Sequence, residues 1–89
     1  MRGRAVWLWD EWNTDHIAQH GVEPFEAEEI GDRPRYLERR KDRYLAWGAT
    51  AEGRLLLVVY VNKPLGRYVI SARDMEEGEK RRIRRLTGR

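Results

Sequence analysis

Hydrophobic and polar positions change rhythm twice along this 89-residue chain. AVWLW (5–9) is a short apolar, aromatic run that predicts a strand. NTDHIAQHG (13–21) predicts a short helix, with Asn13 or Thr14 able to cap its first amides and Gly21 supplying the left-handed residue that ends it. VEPFEAEEIG predicts a second one, because Pro24 suits a first turn, Glu26 lies near the positive end and Gly31 can stop the helix. Phe25, Ala27 and Ile30 give it only a partial inward stripe.

From Asp32 onward the pattern becomes that of strands. RYLE (35–38) and RYLAWGAT (43–50) flank the polar turn RRKD, and AEGR with Gly53 makes the next turn. LLLVVYV (55–61) is apolar at every position, as expected of a strand covered on both faces. After NKPLGR comes the strand YVISARD (68–74), where alternation puts Tyr68, Ile70 and Ala72 on one face and Val69, Ser71 and Arg73 on the other. MEEGEKRRIRRL then predicts a last helix, capped by Asp74 with Glu77 three positions on. Its acidic start and basic end suit the helix dipole, while Gly78 costs it about 1 kcal/mol relative to alanine. The order β-α-α-β-β-β-β-α describes an α+β fold: two N-terminal helices and a C-terminal helix on an antiparallel sheet of four to five strands.

Length allows one domain, 1–89, with one modest core. Cysteine is absent, which removes disulfides and thiolate metal sites. The apolar run before Asp10 is too short for a signal peptide or membrane span, so a cytoplasmic protein with no membrane contact is expected. The net charge of +3 hides an asymmetry: residues 1–32 carry eight acids and two bases, and residues 33–89 carry seven acids and sixteen bases. The basic part suits a polyanion and the acidic part should repel one. A heavily ion-paired, solvated surface would have the same composition.

His16 and His20 lie one helical turn apart, as half a zinc site would. The glutamate that a zinc-protease helix needs is missing, and no third histidine or cysteine exists. The pair therefore reads as structural or exposed, and no metal or other cofactor is expected.

Four segments together resemble the BrnT-type toxins, RelE-like ribonucleases of type II toxin–antitoxin systems. They are Trp9-Asp10 with the following helix and His20-Gly21-Val22; Asp32 and Pro34; Arg43, Tyr44, Gly48, Gly53 and Arg54 leading to Tyr60; and Ile70-Ser71-Ala72-Arg73 before the last helix. The resemblance spans residues 7 to about 85. It implies RNA cleavage, a cognate antitoxin (expected to be a ribbon-helix-helix protein), and a homodimer or heteromeric complex.

Attack of a ribose 2′-OH on phosphate needs charge stabilisation and two proton transfers. Arginine forks suit phosphate oxygens, and aromatic rings hold an unstacked base. The candidates for catalysis are Arg73, Arg54, Arg43 and Tyr60, with Arg67, Tyr68, Tyr44 and Ser71 binding the RNA. Arg73 ranks first, because it stands in the ISAR segment where the last strand meets the last helix; pairing with Asp74 or a nearby glutamate is its bland alternative. The chain departs from the family pattern at Ala49, where many members carry arginine, at Ile83, where tyrosine is frequent, and at Gly78. Those departures keep a second function open: a catalytically weak member acting as a partner-binding or nucleic-acid-binding module, through the acidic Glu23–Glu29 segment or the basic EKRRIRR run.

Overall fold

The computed structural model describes residues 5–88. Its elements are β1 (Trp7–Leu8), α1 (Glu11–Ala18), α2 (Pro24–Asp32), β2 (Tyr36–Arg40), β3 (Arg43–Ala49), β4 (Leu55–Lys63), β5 (Gly66–Asp74) and α3 (Glu77–Leu86). The five strands form one sheet in the order β1-β5-β4-β3-β2. The element order is the expected one, but the sheet is mixed: β2 to β5 run antiparallel, whereas β1 lies parallel to β5, with Trp7 opposite Arg67 and Leu8 opposite Tyr68. Two residues of edge strand carry no alternation from which direction could be read. Direction is set instead by the long return of the chain through both helices and the whole meander.

β4 is covered on both faces, as its unbroken apolar run requires. Leu56, Val58 and Tyr60 belong to one core with Ile17 of α1 and Ala27 and Ile30 of α2. Leu57 belongs to a second core with Trp47, Met75 and Ile83, beneath α3. Alternation fails in β5, however. A bulge between Val59 and Tyr60 sets Ser71 opposite Val59 but Val69 opposite Tyr60, leaving Ile70 as the extra residue. Val69 and Ala72 therefore both enter the first core, instead of lying on opposite faces.

The caps also differ from the sequence expectation. Asp10, not Asn13 or Thr14, caps α1: its carboxylate accepts from the Asn13 amide while the Asn13 side chain accepts from the Asp10 amide. This releases the buried Asn13 side chain to donate to the carbonyls of Leu8 and Val69, tying α1 to β1 and β5. Likewise α3 is capped by Glu76 with Glu79, two residues later than Asp74 and Glu77, because β5 holds the chain extended through Asp74. Gly31 does not end α2 but lies inside it, where the indole of Trp7 fills the space a methyl group would need. Among the described residues no helix is long and apolar enough to cross a membrane.

Candidate functional site

The eight residues singled out by sequence fall into three places. Arg54 stands alone at the start of β4, below α1 and α2. Its Nε and Nη2 donate to the two carboxylate oxygens of Asp74 (2.9 and 3.1 Å), and Nη1 donates to Gly21 O and Glu26 Oε1 (2.8 and 3.0 Å). Nη2 also reaches His20 O at 3.2 Å. A guanidinium has five N–H groups, and all five are engaged. His20 and Gly21 follow the end of α1, Glu26 is in the first turn of α2, and Asp74 ends β5. Arg54 thus joins four elements. The Asp74 bonds and charge raise its pKa further and hold the Asp74 carboxyl below its ordinary range.

Arg73, Ser71, Tyr68 and Arg43 share the face that carries α3, because their cross-strand partners are Leu57, Val59 and Val61. Arg73 forms a two-pronged pair with Glu79 (2.8 Å on each prong) and donates to Asp74 O. One turn along α3, Arg82 meets Glu38 of β2 at 3.1 Å, and its guanidinium lies 5.5 Å from the centre of the Trp47 ring. Glu38 also accepts from Trp47 Nε1 and faces Arg40 at 3.6 Å. The result is a chain of charge, Arg73–Glu79 then Arg82–Glu38–Arg40, along the junction of α3 with the open part of the sheet. The Arg73 bonds hold the Glu79 carboxyl below its ordinary value. For Glu38 burial pushes upward, but the bonds from Arg82 and Trp47 and the two arginine charges outweigh it, and the net displacement is downward. Tyr68 donates to the Asp10 carboxylate (3.0 Å), and partial burial together with that contact raises its pKa. This face can supply guanidinium forks, carboxylates held ionised and a half-buried hydroxyl at Ser71.

Tyr44, Tyr60 and Arg67 lie on the opposite face, with α1 and α2. The two phenol rings stack at 5.3 Å between centroids, and Trp7 meets Tyr60 edge-on at 5.1 Å. The Arg67 guanidinium sits 5.0 Å from the centre of Tyr60 and 5.5 Å from that of Trp7. Burial raises the Tyr60 pKa, and the Arg67 charge opposes it. The fold thus brings Arg73, Ser71, Tyr68 and Arg43 onto one face and separates them from Tyr60, Tyr44 and Arg67. His16 stacks on Trp12 at 4.8 Å, and the described residues contain no group of three or more side chains able to hold a metal ion.

A family model described as the ribonuclease toxin, BrnT, of type II toxin–antitoxin system matches residues 9–79. The chain belongs to the BrnT toxin family. No curated protein matches it closely enough to count as a relative. Membership of this family carries ribonuclease toxicity and an antitoxin partner. The BrnT match takes in β1's neighbour Trp9, the whole meander and the first turn of α3, so Arg73, Glu79 and Glu38 all lie inside it, while Arg82 lies beyond.

Sequence reasoning missed Glu38, Glu79, Arg82 and Arg40. Glu79 had a usable signal, since a glutamate three residues after Glu76 matches a capping box once β5 is known to run to Asp74. Glu38 had none, because only strand register and the crossing of α3 bring it to Arg82.

Proposed function

We propose that this BrnT-family chain is a metal-independent endoribonuclease that binds RNA on the α3 face of its sheet. The observation that carries this reading is the ion-pair chain Arg73–Glu79 and Arg82–Glu38–Arg40 along an open, half-buried sheet floor. Arg73 donates three bonds in its present state and has two N–H groups left for phosphate. Arg43, exposed at the start of β3, adds a cation on the same face. A phosphate competing for Arg73 loosens Glu79, whose basicity then rises because the charge holding it ionised has been shared.

In this scheme the 2′-OH gives its proton to Glu79 as its oxygen attacks the adjacent phosphorus. The P–O5′ bond breaks, and the departing oxygen takes a proton from water. The products are a 2′,3′-cyclic phosphate and a 5′-hydroxyl, and the arginines stabilise the charge that develops between those states. The partner is a ribbon-helix-helix antitoxin, bound in a heteromeric complex in the cytoplasm around a RelE-like toxin fold. The basic second half of the chain and its acidic first half support separate RNA and protein surfaces.

Long RNA incubated with the protein in EDTA tests this. The parent should yield fragments with cyclic phosphate ends, and Arg73→Ala and Glu79→Gln should each slow cleavage by at least about 100-fold while melting as folded proteins. Undiminished cleavage by Arg73→Ala would sink the assignment. A second reading, a catalytically weak binding module, draws on the same Arg73–Glu79 pair, since a guanidinium already held by carboxylate is partly spent. Intact RNA with the parent would favour that reading.

A further inference from the structure

The face opposite α3 carries a row that cleavage on the α3 face does not use. One residue from each strand contributes: Trp7 of β1, Arg67 of β5, Tyr60 of β4, Tyr44 of β3 and Arg39 of β2, with register placing Arg39 opposite Tyr44 and Tyr44 opposite Tyr60. The row runs ring, cation, two stacked rings, cation. Arg67 lies over both Trp7 and Tyr60, which meet edge-on, and the Arg39 guanidinium is 5.6 Å from the centre of Tyr44. Arg40, Arg54, Arg73 and Arg82 each face a carboxylate, but among the described residues neither Arg67 nor Arg39 forms a salt bridge. Among the described residues the Arg39 side chain donates only to Lys41 O. Arg67 is half-buried, and burying part of a guanidinium without a counter-anion is costly, a cost that ring faces offset only in part; Arg39 is exposed. The unspent donors call for an anion.

We propose that this row is a second subsite for single-stranded RNA, holding nucleotides that flank the bond cleaved on the α3 face. The proposal rests on RNA being bound on that other face. Continuity comes from the strands themselves: Arg39 and Arg40, Tyr44 and Arg43, and Arg67 and Tyr68 are neighbours in sequence that point to opposite faces at the same height. All lie near the β2–β3 and β4–β5 hairpin tips, where Lys41 and Lys63 are exposed. A strand passing over the tips meets cations on both sides and the half-buried rings of Tyr44 and Tyr68, while Tyr60 stays buried beneath them in the core. Aromatic side chains beside unpaired guanidiniums suit bases and phosphates together, which an acidic peptide would leave half used.

The test uses a fluorescein-labelled 2′-O-methyl oligouridylate of 12 nucleotides, which lacks the attacking hydroxyl, so binding is read by anisotropy apart from cleavage. Arg39→Met/Arg67→Met keeps bulk against the rings and removes both charges. Its affinity should fall at least about fivefold, and the slope of log K against log salt should flatten by about 1.4, at roughly 0.7 per phosphate contact on single strands. If the double variant melts early, Arg39→Met alone, at an exposed position, should flatten the slope by about 0.7. An unchanged affinity and slope in a folded variant overturns the subsite. So does retention of oligonucleotide binding together with loss of poly-L-glutamate binding, which would assign the row to an acidic protein. A parent that binds the oligonucleotide through this row but never cuts natural RNA would refute the cleavage reading and leave the row standing.

Discussion

Replacing Arg54 separates a structural arginine from a catalytic one. The five bonds it donates join the end of α1, the start of α2, the start of β4 and the end of β5. A net hydrogen bond contributes about 0.5–1.5 kcal/mol, more when one partner is charged, and three of the five go to carboxylates. The side chain is 29% exposed, so solvent screening lowers each contribution and the sum is not additive. About 3 kcal/mol is a reasonable total for Arg54→Ala, a large fraction of the roughly 5–15 kcal/mol that holds a small domain. At about 4–8 °C per kcal/mol for a domain of this size, Tm should drop by about 12–24 °C. Arg54→Lys should fall between variant and parent, because one ammonium cannot span Asp74, Glu26 and two carbonyls at once. Thermal and urea unfolding followed by the fluorescence of the four tryptophans reads this directly. If Arg54→Ala melts within about 3 °C of the parent yet has lost cleavage, the structural reasoning is wrong and Arg54 acts on RNA.

Gly31→Ala should destabilise by about 1–3 kcal/mol, because its methyl group would overlap the Trp7 indole; Trp7→Leu in the same chain should recover part of the loss, and additive losses in a double-mutant cycle would contradict this. Acid should weaken the fold through Glu38, Asp74 and Glu79, whose folded pKa values all lie below their ordinary ones. Their contribution is complete above the ordinary carboxylate range and is lost as pH falls through the lower folded values, so urea midpoints should fall below about pH 4. Glu79→Gln should make that decline shallower, and an equal slope in parent and variant would remove Glu79 from the account.

The sequence alone determined the element order, the two-sided burial of β4 and the left-handed residues at Gly21 and Gly53, because these depend on side-chain period and backbone freedom within a few residues. It also carried enough of the family pattern to imply a toxin before any contact was visible. Tertiary structure decided which partners those residues take. Arg54 and Arg73 look alike in the chain, yet one spends every donor on four elements and the other pairs with a single glutamate. The β5 bulge shifted Val69 and Ala72 onto one face, and a one-residue insertion in a ladder leaves no mark in an alternating apolar strand. Glu38 and Arg82 meet only when a sheet register and a helix crossing put them together. Local propensity is written in adjacent residues, whereas a site is written in pairings whose separation in sequence carries no signal of its own.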